Sequence, residues 1–106
     1  MLDQFEFKNQ SDENGNPTGG SVSGVGLKID WQDGPLGRGA DRKDPNGAFV
    51  ETVIAAAKSR LEFYQSSKFA CDYNDMAIKA LELALWSLNQ RTVNREVRGV
   101  EGEHKA

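Results

Sequence analysis

A chain of 106 residues, 38% hydrophobic and 27% charged, is long enough for one small domain and too short to bury a large core, so stability from self-association is expected. Its net charge of −3 argues against a general DNA or RNA binder, which needs a clustered basic surface, and no stretch approaches the roughly 18 apolar residues of a membrane span. A single cysteine, Cys71, and a single histidine, His104, exclude an internal disulfide, zinc sites built on paired cysteines and histidine-based triads.

The opening "MLDQFEFKNQ" has no basic segment followed by an apolar run, so a cytosolic protein is expected. Phe5–Phe7 alternates apolar and polar, as a strand with one covered face should. A second strand is expected in "SVSGVGLKIDW", with Val25, Leu27, Ile29 and Trp31 on one side and Gly26, Lys28 and Asp30 on the other. Between them "NQSDENGNPTGG" is rich in turn formers, which predicts a hairpin over 1–31 with a flexible, solvated tip.

"WQDGPLGRGADRKDPNG" then runs from Trp31 to Gly47, a glycine-rich loop over 32–47. Loops longer than roughly 12–15 residues are usually functional or disordered. Gly34, Gly37 and Gly39 can take positive φ, which lets backbone N–H groups converge on an anion beside Arg38. The stretch is neither a Walker motif nor a dinucleotide fingerprint, and a plain surface turn is the competing reading.

A helix is expected over 48–65, with Asn46 as its cap, Pro45 before it and Glu51 in its first turn. Val50, Val53, Ile54, Ala57, Leu61 and Tyr64 form one apolar stripe. "SSKFACD" breaks the pattern, and Cys71 within it reads as an inert buried thiol. A second helix is expected over 72–98, stopped by Gly99, with a loose tail at 99–106. At about 100° per residue, Ala77, Ile78, Leu81, Ala84, Leu85 and Leu88 face one way while Met76, Leu83 and Trp86 face the other. A helix apolar on two sides is covered on two sides, by a partner chain or by the amino-terminal sheet.

Chemistry concentrates on the helices. Arg91, Arg95 and Arg98 stand at i, i+4 and i+7, a spacing that suits a fork for phosphate or carboxylate or, alternatively, pairing with Glu96, Glu101 and Glu103. Asn74 falls on the core-facing side, where it could serve a ligand or help cap the helix. Phe63 and Tyr64 could stack on a base or pack as core. Together a ring pair, an amide and an arginine fork contain what an adenine nucleotide needs. For catalysis, Asp30, Asp33, Asp41 and Asp44 are the available carboxylates, and none stands at a recognisable catalytic spacing. With no activating histidine, the reading is a binding protein rather than an enzyme, with no metal and no cofactor.

The order of motifs "GVGLKIDWQDGPLGRG", "PNGAFVETVIAAAKSRLEFYQSSKFAC" and "RTVNREVRGVEGEH" resembles the first Thoeris anti-defence family of phage proteins, over nearly everything after Ser21. The resemblance implies a sponge that binds glycocyclic ADP-ribose, the signal of the bacterial Thoeris system, and sequesters it uncleaved in the host cytoplasm. It also implies assembly through the helices into dimers or hexamers and, in some members, a second pocket for cyclic di- or trinucleotides. On it, Tyr64 or Phe63 stacks on the base, Asn74 hydrogen-bonds the ligand, and Arg91 and Arg95 grip the pyrophosphate. Arg38 would contact the ligand or line the second pocket. A tyrosine where a relative has phenylalanine leaves the choice between Phe63 and Tyr64 open. The expected fold is α+β, a small antiparallel sheet followed by two carboxy-terminal helices in one domain. The alternative is a structural or protein-binding phage protein with no nucleotide ligand. A phosphodiesterase acting on the same signals is a third reading.

Overall fold

The computed structural model describes residues 4–106. A three-stranded antiparallel sheet precedes two helices: β1 (Glu6–Ser11), β2 (Pro17–Gly24), β3 (Leu27–Asp30), α1 (Val50–Gln65) and α2 (Asp72–Val97). The expected α+β order therefore holds. Two compact units are present, one running up to Phe49 and including Gly99–Ala106, the other Val50–Arg98.

In the first unit the sheet has one more strand than expected. "SVSGVGLKIDW" is broken into β2 and β3 by a tight turn, with Gly24 paired to Leu27 across Val25 and Gly26. Gly26 has φ 80°, the positive value that this turn position demands, and Val25 is 90% exposed at its tip rather than aligned with Ile29. Alternation of side chains, which depends only on the extended backbone, survives within β3. Phe7, Val22 and Ile29 are register partners across the three strands, so they share one face.

Most of the expected flexible tip is strand. Only Asp12–Asn16 turns, and it is ordered by Asp12, whose Oδ1 accepts from the Asn14 and Asn16 amides at 2.8 and 2.9 Å. The backbone N–H of Asn16, then its side chain, holds the Asp12 carboxyl below its ordinary pKa.

The long loop is closed at its neck. Trp31 forms a parallel bridge with Ala48, and Gln32 Oε1 accepts from the Asn46 and Gly47 amides at 2.8 and 3.3 Å. Asn46 does not cap α1, which starts later at Val50. Its side chain instead takes both backbone groups of Asp33, accepting from N and donating to O at 2.9 Å each. Gly47 is required by close approach, since a Cβ there would lie 2.6 Å from the Trp31 carbonyl. The carboxy-terminal segment is tied to the same loop rather than loose. Gly37 N–H donates to the Gly102 carbonyl at 2.7 Å, and the Arg42 guanidinium takes both Glu101 oxygens at 2.8 and 3.2 Å.

The second unit is an antiparallel helical hairpin. Ala77, Ile78, Leu81, Ala84, Leu85 and Leu88 are the covered row of α2, as the periodicity predicts, with Ile78 the one buried hydrophobic side chain among the described residues. On α1 the covered row is Val53, Ile54, Lys58, Leu61 and Gln65; Val50, Ala57 and Tyr64 are exposed, so the stripe is rotated from the expected one. Leu83 and Trp86, on the far side of α2, are 63% and 62% exposed. Cys71, expected to be buried, is exposed in the interhelical turn.

Candidate functional site

The turn between the helices is pinned by side chains that do the work of a cap. The Gln65 amide spans it, with Oε1 accepting from Cys71 N–H at 2.9 Å and Nε2 donating to the Cys71 carbonyl at 3.1 Å. Ser66 and Ser67 hydroxyls donate to the carbonyls of Phe63 and Tyr64 at 2.7 and 2.6 Å, beside the backbone N–H groups of the same serines, which reach those carbonyls at 3.1 and 3.0 Å and tighten the last turn. The backbone that carries the two rings is therefore fixed. Asn74 Nδ2 donates to the Phe69 carbonyl at 3.2 Å, which places its amide in the same turn.

Phe63 and Tyr64 have ring centroids 6.2 Å apart and planes 58° from parallel, an arrangement favoured by the ring quadrupoles. Arg60, which the sequence reading passed over, sits against both. Its guanidinium carbon is 4.9 Å from the Phe63 centroid and 5.0 Å from that of Tyr64, and Nε donates to Tyr64 Oη at 3.2 Å. The signal was available: an arginine three and four residues before two adjacent aromatics reaches both on a helix.

The expected arginines lie elsewhere on the hairpin. α2 has 26 residues against 16 in α1, so its last turns, with Arg91 and Arg95, run past the start of α1. Arg91 is exposed, and Arg95 is half-buried in the row that continues Leu88 and Thr92. Arg98 donates from Nε to Asn94 Oδ1 at 3.0 Å. With a rise of about 1.5 Å per residue, Asn74 and Arg91 are about 25 Å apart. Within one chain the ring pair and Asn74 thus stand at one end of the hairpin and the arginine pair at the other.

Arg38 belongs to the first unit, where it precedes a single 3-10 turn over Gly39–Asp41. It is exposed, with Nη1 beside Gly99, 3.7 Å from where a Cβ would stand. Among the described residues no group of three or more His, Cys, Asp or Glu could hold a metal ion, and no helix is long and apolar enough to cross a membrane.

The model of the Acb2/Tad1 hairpin domain matches residues 24–93, from the β2–β3 turn through most of α2. The chain belongs to the Acb2/Tad1 hairpin-domain family. The expected kinship with Thoeris anti-defence proteins is thereby borne out. One curated relative, named Thoeris anti-defense 1, comes from Bacillus phage SBSphiJ7 and is 44% identical over 77 residues. Those residues make up 73% of this chain and 51% of that protein, so the chain spans about half the length of the curated relative it matches. The matched hairpin-domain segment contains Arg38, Arg60, Phe63, Tyr64, Asn74 and Arg91, and ends just before Arg95. β1 lies before the matched segment, and of the Arg42–Glu101 tie between loop and tail only Arg42 lies inside it.

Proposed function

We infer that this protein acts against Thoeris defence by binding a cyclic ADP-ribose isomer, glycocyclic ADP-ribose, and holding it uncleaved in the host cytoplasm. The observation that carries this reading is the 44% identity to Thoeris anti-defense 1, together with the hairpin-domain match over nearly all the candidate residues. The ring pair supplies a stacking surface for the base and Asn74 an amide for hydrogen bonding. Arg91 and Arg95 supply planar, paired donors for the pyrophosphate.

The separation of about 25 Å along α2 adds a condition. A compact cyclic nucleotide does not span it, so the rings of one copy work with the arginines of another. Two copies with antiparallel α2 helices meet that condition. The exposed face of α2, with Tyr73, Met76, Leu83, Trp86, Val93 and Val97, is the surface they would bury, as a dimer or as a hexamer of three dimers. Arg38 then contacts the ligand or lines a further pocket for cyclic di- or trinucleotides.

Calorimetry with glycocyclic ADP-ribose tests binding. Denaturing the loaded protein and chromatographing what is released tests sequestration. Intact ligand is expected. Opened ligand would make the protein a hydrolase, and no heat would leave the exposed α2 face to a protein partner. Light scattering at micromolar concentration should give the mass of a dimer or larger.

A further inference from the structure

We propose that Arg60 is a positioning residue for the aromatic platform: it holds the Tyr64 ring in the orientation in which a planar base stacks on it. The proposal rests on the nucleotide-binding reading above and adds a residue to it. Three contacts converge on this one side chain. Its guanidinium lies about equally far from two ring centroids, at 4.9 and 5.0 Å, and its Nε–H is bonded to Tyr64 Oη at 3.2 Å. A ring touched at its face by a cation and at its hydroxyl by the same group loses rotation about both side-chain torsions, whereas a ring touched only at its face keeps more of its freedom. Tyr64 has both contacts and is 37% exposed; Phe63 has one and is 58% exposed. Arg60 therefore distinguishes two adjacent rings that sequence spacing treats alike, and Tyr64 is the one prepared for stacking.

Among the described residues the charge is not engaged by an acid. Nearby Glu62 pairs with Lys58 at 3.2 Å, and no carboxylate is paired with Arg60 among the described residues. A guanidinium lying on rings instead of on a carboxylate keeps its positive field at the platform. That favours a ligand joining a flat heterocycle to negative phosphates over an uncharged nucleoside.

A double-mutant cycle tests the proposal on the full chain, using Arg60→Met, which keeps the stem and removes the cation, and Tyr64→Leu, which removes the ring. Calorimetry with glycocyclic ADP-ribose should show a loss of about threefold to tenfold for R60M in the parent and almost none in the Y64L background. The same loss in both backgrounds would overturn positioning and make Arg60 a direct ligand contact. No loss in either would make it a solvated surface charge.

A second readout needs no ligand. The chain has two tyrosines, so a tyrosine-labelled NMR spectrum contains Tyr64 and, as an internal control, Tyr73. R60M should move the Tyr64 ring resonances and leave those of Tyr73 in place. Unmoved Tyr64 resonances overturn the contact itself. A parent that gives no heat overturns the sponge reading and with it any role of Arg60 in binding; the ring shift still reports whether the contact exists, so the two failures are separable.

Discussion

The sheet-and-loop unit and the helical hairpin are ordered by different forces. In the hairpin, a row of apolar side chains at three- and four-residue spacing does the work, with Ile78 at its centre. In the other unit, polar side chains take the place of secondary structure. Gln32 and Asn46 close the loop neck, Asp12 folds the β1–β2 turn, and Arg42 with Glu101 ties the tail to the loop. Apolar burial is non-directional and responds to lost volume, whereas a hydrogen-bonded neck depends on the direction and placing of a few donors and acceptors. Damage to the two units should therefore look different.

The largest effect is expected in the hairpin. Ile78→Ala removes the one buried hydrophobic side chain among the described residues and should cost about 2–4 kcal/mol in urea unfolding followed by helical circular dichroism. A loss under about 1 kcal/mol would mean that the apolar row does not carry the hairpin.

Arg91→Ala and Arg95→Ala probe the same helix beyond Leu88, Arg91 from an exposed position and Arg95 from the half-buried continuation of that row. Each should weaken glycocyclic ADP-ribose binding about ten- to a hundredfold, because charge-assisted hydrogen bonds are worth about 1.5–3 kcal/mol, and the exposed Arg91 should do so with stability nearly unchanged. Arg91→Lys should recover only part of the loss. Mixing the Arg91→Ala, Arg95→Ala double variant with a Tyr64→Leu variant sharpens the shared-site idea. If rings and arginines come from different copies, mixed dimers regain one intact site, and calorimetry of the mixture exceeds the sum of the separate variants.

Gln32→Ala acts on the other unit. It leaves the Asn46 and Gly47 amides to water in place of their acceptor and should cost about 0.5–1.5 kcal/mol. Hydrogen exchange at those two amides should accelerate while helical dichroism stays as in the parent; a matching loss of helix would show that the two regions do not respond separately.

Glu101→Gln should do less, about 0.2–1 kcal/mol, because the Arg42 pair is partly solvated. Its readout is faster proteolysis within 99–106.

The smallest effect is set by pH. The Asp12 carboxyl titrates below its ordinary 3.8, so its support of the β1–β2 turn is fully present above that value and is lost as the pH falls through the lower folded value. The Asn14 and Asn16 amide resonances should move together in that acid range, and Asp12→Asn should abolish the pH dependence. Movement of those amides near neutral pH instead would point to another group.

Both helices were legible because their signal is local. Residues three and four apart share a helix face wherever the helix sits, so the covered row of α2 could be named from spacing alone. The candidate site was legible in type more than in arrangement. Rings, amide and arginines were visible as letters, and the distance of about 25 Å between Asn74 and Arg91 follows from helical rise. The partner of each polar group was not, because hydrogen-bonding capacity does not say which donor will meet which acceptor.

By itself, then, the sequence determined that strands precede the helices, the two helices themselves and the alternation within β3, all of which rest on spacings of two, three or four residues. Tertiary structure decided the rest. Whether "SVSGVGLKIDW" was one strand or two depended on what Gly24 and Leu27 could pair with, and Asn46 was equally suited to capping a helix or binding Asp33. Such choices turn on which segments meet in space. An isolated polar side chain has several satisfactory partners within reach, and only the closed chain leaves it one.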